Sequence, residues 1–219
     1  MDWAPLWLSL RVAAVATLLA ATLGIALAAL LGRRFFGRDL LDALVTAPLV
    51  IPPTVLGYYL LVALGRRSPL GQAVEALTGA PIVFTVRGAI LAATVGALPL
   101  VVKSARAALE EVEPTLLQAA RLLGAGRLRA FFTVHLPLAR RGILAGVVLG
   151  FARSLGDFGV TLMVAGDIPG ETQTAAIAIY DAIQAQDDRR ALGLVLALSA
   201  VAVLSLYGVG KLVRSPDRG

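Results

Sequence analysis

The 219-residue chain contains no cysteine and one histidine, His135. Without cysteine it has no disulfide framework and no thiolate metal site. His135 has no second histidine to join as a metal ligand, so a packing or surface role is expected. The chain also lacks a nucleophile elbow and the G-x-x-x-x-G-K-[ST] loop that cradles the phosphates of ATP. We therefore expect no catalytic residue, metal or cofactor in this chain, and any driving energy must come from elsewhere.

Charged residues are scarce as well. They make up 16% of the chain, against 58% hydrophobic residues, and the mean hydropathy is +0.82. This composition is typical of an integral membrane protein. The net charge of +6 does not indicate nucleic acid, because the basic residues follow the pattern of membrane topology. No segment resembles an appended soluble module, so residues 1–219 are predicted to form one membrane domain.

Apolar segments long enough to cross about 30 Å of hydrocarbon as helices occur five times. They are residues 12–31, 40–64, 82–102 (starting at Ile82 or Gly88), 142–165 and 192–213. A cleaved signal peptide is the rival interpretation of the first, but the basic start of such a peptide is missing. Residues 175–183 are too short to span and are predicted to be re-entrant or interfacial. Gly142, Gly146 and Gly150 have the spacing that allows close helix packing.

The basic residues predict the orientation. Thirteen of the 20 lysines and arginines lie in the turn 33–42, the loop 103–141 and the tail from Lys211 onward. The side richer in lysine and arginine faces the cytoplasm. The N-terminus is therefore predicted to lie outside, and the loop 103–141 and the C-terminus in the cytoplasm.

A short amphipathic helix is predicted within this loop. Pro114 suits a first helical turn, and Gly124 supplies a left-handed stop. Such a helix, held between membrane spans, is suited to dock into the groove of a partner.

Prolines interrupt the second apolar segment at Pro48, Pro52 and Pro53. Each proline removes a backbone donor and crowds the carbonyl four residues earlier. Broken backbone at membrane depth is tolerated only against protein or a watery cavity. These prolines, with Thr54 and Gly57, are candidates for a translocation pathway; a packing kink is the alternative.

Ionisable residues interrupt the fourth segment, where Arg153, Ser154, Gly156 and Asp157 are further pathway candidates. Arg153 and Asp157 are four residues apart, hence on one helix face, and can pair. Ionisable groups at this depth are costly and mark an interior face or an ion path. Arg153 either meets a passing anion or forms a permanent ion pair that packs the bundle.

Two sets of residues resemble known families. Gln118-Ala119-Ala120, three residues, Gly124, nine residues and Val134-His135-Leu136-Pro137 resemble the EAA loop of ABC importer permeases. Gln118 replaces a glutamate and Val134 an isoleucine, with both spacings intact. Residues 48–58, 151–161 and 168–172 resemble stretches of molybdate ABC permeases, and this resemblance runs from about Leu8 to Tyr207.

The resemblance implies an all-α, polytopic bundle of the type I ABC importer permease kind. It implies that Gln118, Ala119, Ala120, Gly124, Val134, Leu136 and Pro137 belong to a cytoplasmic coupling loop. It further implies a homodimer in lipid in the bacterial inner membrane, two ATPase subunits that bind ATP and Mg, and an external oxyanion-binding protein. The expected function is ATP-driven import of molybdate by alternating access.

Three alternatives remain at this point. Tungstate or sulfate is another tetrahedral cargo that charge and size barely separate from molybdate. A secondary transporter driven by an ion gradient predicts inverted repeats and intramembrane carboxylates, of which only Asp157 is visible. A purely structural membrane scaffold leaves the loop pattern and the prolines unexplained.

Overall fold

The computed structural model describes residues 2–214, and within that range it contains helices and no strands. The helices are α1 (Ala4–Leu31), α2 (Arg38–Val50), α3 (Pro53–Leu64), α4 (Pro69–Thr78), α5 (Val86–Glu110), α6 (Pro114–Leu122), α7 (Arg127–Ala130), α8 (Leu136–Leu155), α9 (Gly159–Ala165), α10 (Ala175–Gln184) and α11 (Asp188–Arg214). A π-helical turn, Phe131–His135, joins α7 to α8. The predicted all-α fold is confirmed.

Four helices in the described range are long and apolar enough to cross a membrane. They are α1, α5, the continuous helix Arg127–Leu155 and α11 over Asp188–Gly208. Helices α2 and α3 pass the same test only as a pair, and they are bent by 118° where they meet. The count is therefore five if the bent pair is one span, which matches the predicted number.

Helix α5 lies at the centre of the bundle, packed between α1 and α8. Of its most apolar 18 residues 61% are buried, against 33% for α1 and 6% for α11. Small side chains make this possible, since Ala97, Val101 and Ala105 are completely buried between the neighbouring helices. Small residues let helix backbones approach closely where hydrocarbon supplies no hydrophobic driving force.

The glycine repeat of α8 makes such an approach to α5, as its spacing predicted. A Cβ atom on Gly142 would lie 2.5 Å from the Cβ of Ala108, and one on Gly146 would lie 2.5 Å from the Cβ of Ser104. Gly150 meets α5 one turn further on. No side chain larger than hydrogen fits at these positions without separating the two helices.

The predicted end of the third span is wrong. Residues 103–110 belong to α5, which continues to Glu110, and not to the loop. Alanine, lysine, arginine and glutamate are good helix formers, so the helix continues through these residues, and three of the charges are paired. Asp42 of α2 accepts from Lys103 Nζ at 2.8 Å and from Arg106 Nη1 at 3.1 Å, and Arg106 Nε donates to Glu110 at 2.8 Å.

The prediction of one continuous fourth span over 142–165 is also wrong. Helix α8 ends at Leu155, Gly156 caps it, and α9 begins at Gly159. The helical pattern at 175–183 is confirmed as α10, whose first amide donates to Ser9 Oγ of α1 at 2.8 Å. Of the predicted basic tail, residues 215–219 lie outside the described range.

Substituting Gly146 by valine is expected to destabilise the protein by about 1–3 kcal/mol, because overpacking of a filled contact forces backbone shifts. Gly208→Val is the matched control, since it adds the same side chain to a helical glycine with open space around it. Thermal unfolding in detergent measures both. Equal midpoints for the two variants would contradict the close α5–α8 contact.

Candidate functional site

A cavity of about 620 Å³ lies between the bend of α2–α3 and the break between α8 and α9. Its lining residues are Pro48, Leu49, Ile51, Pro53, Thr54, Arg153, Gly156, Asp157, Phe158, Gly159, Leu162 and Met163. The fold thus brings together the two segments that the sequence marked separately, about 100 residues apart in the chain.

The prolines account for the bend. Pro48 lies inside α2, which closes with the amide of Ile51 donating to Ala47 O at 2.9 Å. Pro52 then caps α3 in an extended conformation, and Pro53 occupies its first turn. The two consecutive prolines cannot donate the bonds that would continue α2. The predicted break is confirmed, and it lies against the cavity and α9.

Asp157 holds the opposite wall together. Its Oδ1 accepts from Arg153 Nη1 at 2.8 Å. Its Oδ2 accepts from the Thr161 amide at 3.0 Å and from Thr161 Oγ1 at 2.6 Å. The side chain is 2% exposed. One carboxylate therefore neutralises the arginine and also satisfies a first-turn amide of α9, which a helix start leaves unpaired.

Arg153 lies in the last turn of α8 with 30% of its side chain exposed. Among the described residues its only ion pair is through Nη1 to Asp157. Its guanidinium rests beside Gly96 of α5, where a Cβ atom would lie 3.5 Å from Nη2. A partly exposed guanidinium on a cavity wall retains donors for an oxyanion, which it binds through a planar fork.

Three predicted pathway residues do not line the cavity. Pro52 caps α3 outside the lining, and Ser154 is buried with its Oγ 3.4 Å from the Ala93 carbonyl. Gly57 packs against α9, where a Cβ atom would lie 2.7 Å from the Cβ of Met163. Gly57 and Ser154 therefore position the wall without facing the cavity.

Sequence reasoning missed Thr161 and Gly96, which lie against Asp157 and Arg153. It also missed six residues of the cavity lining: Leu49, Ile51, Phe158, Gly159, Leu162 and Met163. It also placed Arg153 and Asp157 on one helix face, whereas Asp157 lies beyond the end of α8. The Gly156-Asp157 pair before an apolar run is a helix stop followed by a start signal, which predicts the break and a partner such as Thr161. A glycine within an apolar helix, such as Gly96, carries no comparable signal.

The short helix predicted within the loop is present as α6. Pro114 occupies its first turn, and Gly124 follows it with φ +88°. The amide of Gly124 donates to Arg121 O and that of Ala125 to Ala120 O, both at 3.0 Å, as in a Schellman stop. None of the residues of α6 is fully buried. Directly after Arg121, two leucines at 122 and 123 are each 89% exposed.

The other loop residues singled out lie around this helix. Gln118 and Ala119 are exposed on α6, and Ala120 is half-buried. Val134 lies in the π-helical turn, and Leu136 and Pro137 begin α8. The amide of Leu136 bonds to Phe131 O, a wider turn that accommodates the missing donor of Pro137.

Residues 20–213 match the model of the family "binding-protein-dependent transport system inner membrane component". The chain belongs to this family, the membrane subunits of ABC importers, as its loop pattern predicted. The chain is a multi-pass membrane protein of this class.

Among its relatives, the chain is similar to the molybdenum transport system permease protein ModB of Escherichia coli K12. The identity is 46% over 207 residues, 94% of this chain and 90% of the relative. A putative molybdenum transport system permease protein of Bacillus subtilis is 40% identical over 204 residues, which cover 93% of this chain and 90% of the relative. A solved structure of the MetNI methionine ABC transporter in an inward-facing conformation aligns with a TM-score of 0.75 at 19% identity, covering 98% of this chain and 97% of that one.

Asp157→Ala is expected to destabilise the protein by about 1–3 kcal/mol, because it leaves the amide and hydroxyl of Thr161 without their acceptor and Arg153 without its counter-charge. Arg153→Met combined with Asp157→Ala should recover part of this loss, since no charge remains. Thermal or denaturant unfolding of both single variants and of the double variant gives the interaction energy. An additive cycle would show that the ion pair does not stabilise the fold.

Proposed function

We propose that this chain is the membrane-spanning subunit of a molybdate importer, driven by ATP that separate subunits hydrolyse. The observation that carries the proposal is similarity over nearly the whole chain to molybdenum permeases of several bacteria, at 38–46% identity. The fold of the solved amino acid importers supports the same class of transporter.

The cavity supports an oxyanion cargo. Its wall carries one arginine whose counter-ion, Asp157, is also held by the amide and hydroxyl of Thr161. The carboxylate keeps partners of its own when Arg153 turns toward a passing anion. Arg153 can therefore exchange Asp157 for cargo without leaving a buried carboxylate wholly unsatisfied. This exchange gives a weak, reversible site, which suits translocation better than tight binding.

Helix α6 is the proposed contact with the ATPase. Its exposed leucines, Leu116, Leu122 and Leu123, offer apolar surface for a groove. Gln118 is exposed as well, and in place of a glutamate it makes this contact less dependent on charge. In this scheme the loop 103–141 faces the cytoplasm, with the N-terminus outside and the C-terminus inside.

The working transporter is proposed to be a homodimer of this single-domain chain in the lipid of the bacterial inner membrane. Two ATPase subunits bind ATP and Mg, and an external protein delivers the oxyanion. ATP favours the outward-open state through its differential affinity for the two states of the complex, and hydrolysis resets it. The chain itself contributes the translocation pathway and α6, the proposed contact with the ATPase subunits, without an ATP site.

Uptake of molybdate into vesicles containing the assembled complex is expected only with ATP and the external binding protein. An ion gradient should not replace ATP. Tungstate and sulfate are tested as competitors in the same assay. Uptake by the chain alone, driven by a gradient, would overturn the proposal in favour of a secondary transporter, and exclusive transport of sulfate would overturn the assignment of cargo.

Arg153→Gln is expected to lower molybdate uptake at least about tenfold, because it removes the charge that meets the anion. Arg153→Lys, which keeps the charge, should retain more activity than the glutamine variant. Assembly of the complex is checked by size-exclusion chromatography. A glutamine variant that assembles and transports normally shows instead that the ion pair only packs the bundle.

Glycine at both Ala119 and Ala120 is expected to uncouple ATP hydrolysis from uptake, since each glycine weakens the helix by about 0.8–1 kcal/mol. Ala125→Gly, just beyond the stop of α6, is the control and should stay coupled. The ratio of molybdate transported to ATP hydrolysed is the measurement. An unchanged ratio in the double variant would remove α6 from the coupling step.

A further inference from the structure

A second cavity, of about 440 Å³, lies where α1 and α5 end and α6 and α7 begin. Four arginines line it, Arg33, Arg106, Arg121 and Arg127, together with one carboxylate, Glu110. It is separate from the translocation cavity, with which it shares none of its lining residues. Neither the proposed transport step nor the contact with the ATPase uses it.

The positive charge of this cavity is largely uncompensated. Arg106 is neutralised, because it bonds to both Asp42 and Glu110. Arg33, Arg121 and Arg127, in contrast, take part in none of the ion pairs and side-chain hydrogen bonds of the described residues. All three are exposed, so water and salt screen part of their mutual repulsion, and an anion between them would be attracted by all three.

Apart from His135, the remaining lining is apolar, and it lies at the ends of two helices that are long and apolar enough to cross a membrane. Ala28, Leu109 and Phe131 belong to it, and Ala28 is in the last turn of membrane-crossing α1. Leu109 stands one residue before the end of membrane-crossing α5. An apolar floor with a basic rim at the ends of two spans has the polarity of a lipid headgroup region.

We propose that this cavity binds the phosphate group of an anionic phospholipid through Arg33, Arg121 and Arg127. Basic pockets between membrane helices recognise such headgroups by charge and by bidentate arginine contacts. The apolar floor accommodates the upper part of the acyl chains, which a free anion would leave exposed. This floor favours a lipid over free phosphate as the source of the group.

The site is placed to act on α6 without blocking its exposed face. Pro114, Leu117 and Arg121 share one side of α6 and line the cavity, whereas Leu116 and Leu123 lie on the other side. A headgroup held between Arg33 and Arg121 would tie the end of α1 to α6. This consequence for coupling rests on the proposed function; binding of the lipid does not.

The test measures binding of dioctanoyl phosphatidylglycerol to the purified full chain in neutral detergent, by native mass spectrometry. Dioctanoyl phosphatidylcholine and inorganic phosphate are the comparison ligands. The pocket variant carries Arg33→Gln, Arg121→Gln and Arg127→Gln. The matched control carries Arg34→Gln, Arg129→Gln and Arg140→Gln, which removes the same charge from the same region outside the cavity lining.

Phosphatidylglycerol is expected to bind the unaltered chain at least about tenfold more tightly than phosphatidylcholine does. Its affinity for the pocket variant should be about a hundredfold lower than for the unaltered chain. The control variant should bind within a few-fold of the unaltered chain. If inorganic phosphate competes as strongly as the lipid, the three arginines bind a phosphate group, but the ligand is a free anion and not a lipid. Equal weakening of the two variants, or no preference for the anionic lipid, overturns the proposal, because the arginines then only balance the helix ends.

A photoreactive phosphatidylglycerol gives a second reading that needs no variant. Cross-linking to the unaltered chain, mapped by peptide mass spectrometry, is expected in peptides that contain Gly32 or Phe131. Labelling confined to the faces of α11 or α3 would exclude the cavity. Since this measurement uses no ATPase, its failure is distinguishable from failure of the transport proposal.

Discussion

The carboxylate of Asp157 satisfies several demands that hydrocarbon surroundings impose together. A helix that stops within the membrane leaves backbone amides without water to bond, and an arginine there requires a counter-charge. Asp157 meets both requirements, because one carboxylate oxygen accepts from Arg153 and the other accepts from the amide and hydroxyl of Thr161. Helix α9 can therefore begin beside the cavity, at Gly159, after α8 has ended at Leu155.

Helices α2 and α3, on one side of the cavity, have few buried residues. Helix α5 is packed on both sides through small residues, whereas Val45 is the only fully buried residue of α2 in the described structure. Asp42 fastens the start of α2 to α5 through Lys103 and Arg106. Segments with few buried contacts reorganise at low cost. We therefore expect α5 to stay in place and the proline-broken pair α2–α3 to move when the transporter changes state.

Local chemistry made most of the elements predictable from the sequence. The proline break, the start and stop of α6 and the glycine contact of α8 each follow from a few adjacent or periodically spaced residues. The errors arose where distant partners decide. The partner of Lys103 is Asp42, 61 residues earlier in the chain, and no local pattern predicts this pair. The meeting of residues 48–54 with 153–159 is likewise a tertiary event, for which neither segment carries a signal.

The continuous helix Arg127–Leu155 connects the two functional regions. It spans about 43 Å at 1.5 Å per residue, from the segment next to α6 to the turn that carries Arg153. The glycine contacts with α5 hold its middle and leave little room for bending. In the proposed mechanism, a displacement of α6 is carried to the Arg153–Asp157 pair by the helix as a whole. Coupling requires an element with two discrete arrangements. We propose that the Arg153–Asp157 pair is this element, since Asp157 also bonds to Thr161 and keeps a partner when Arg153 moves away.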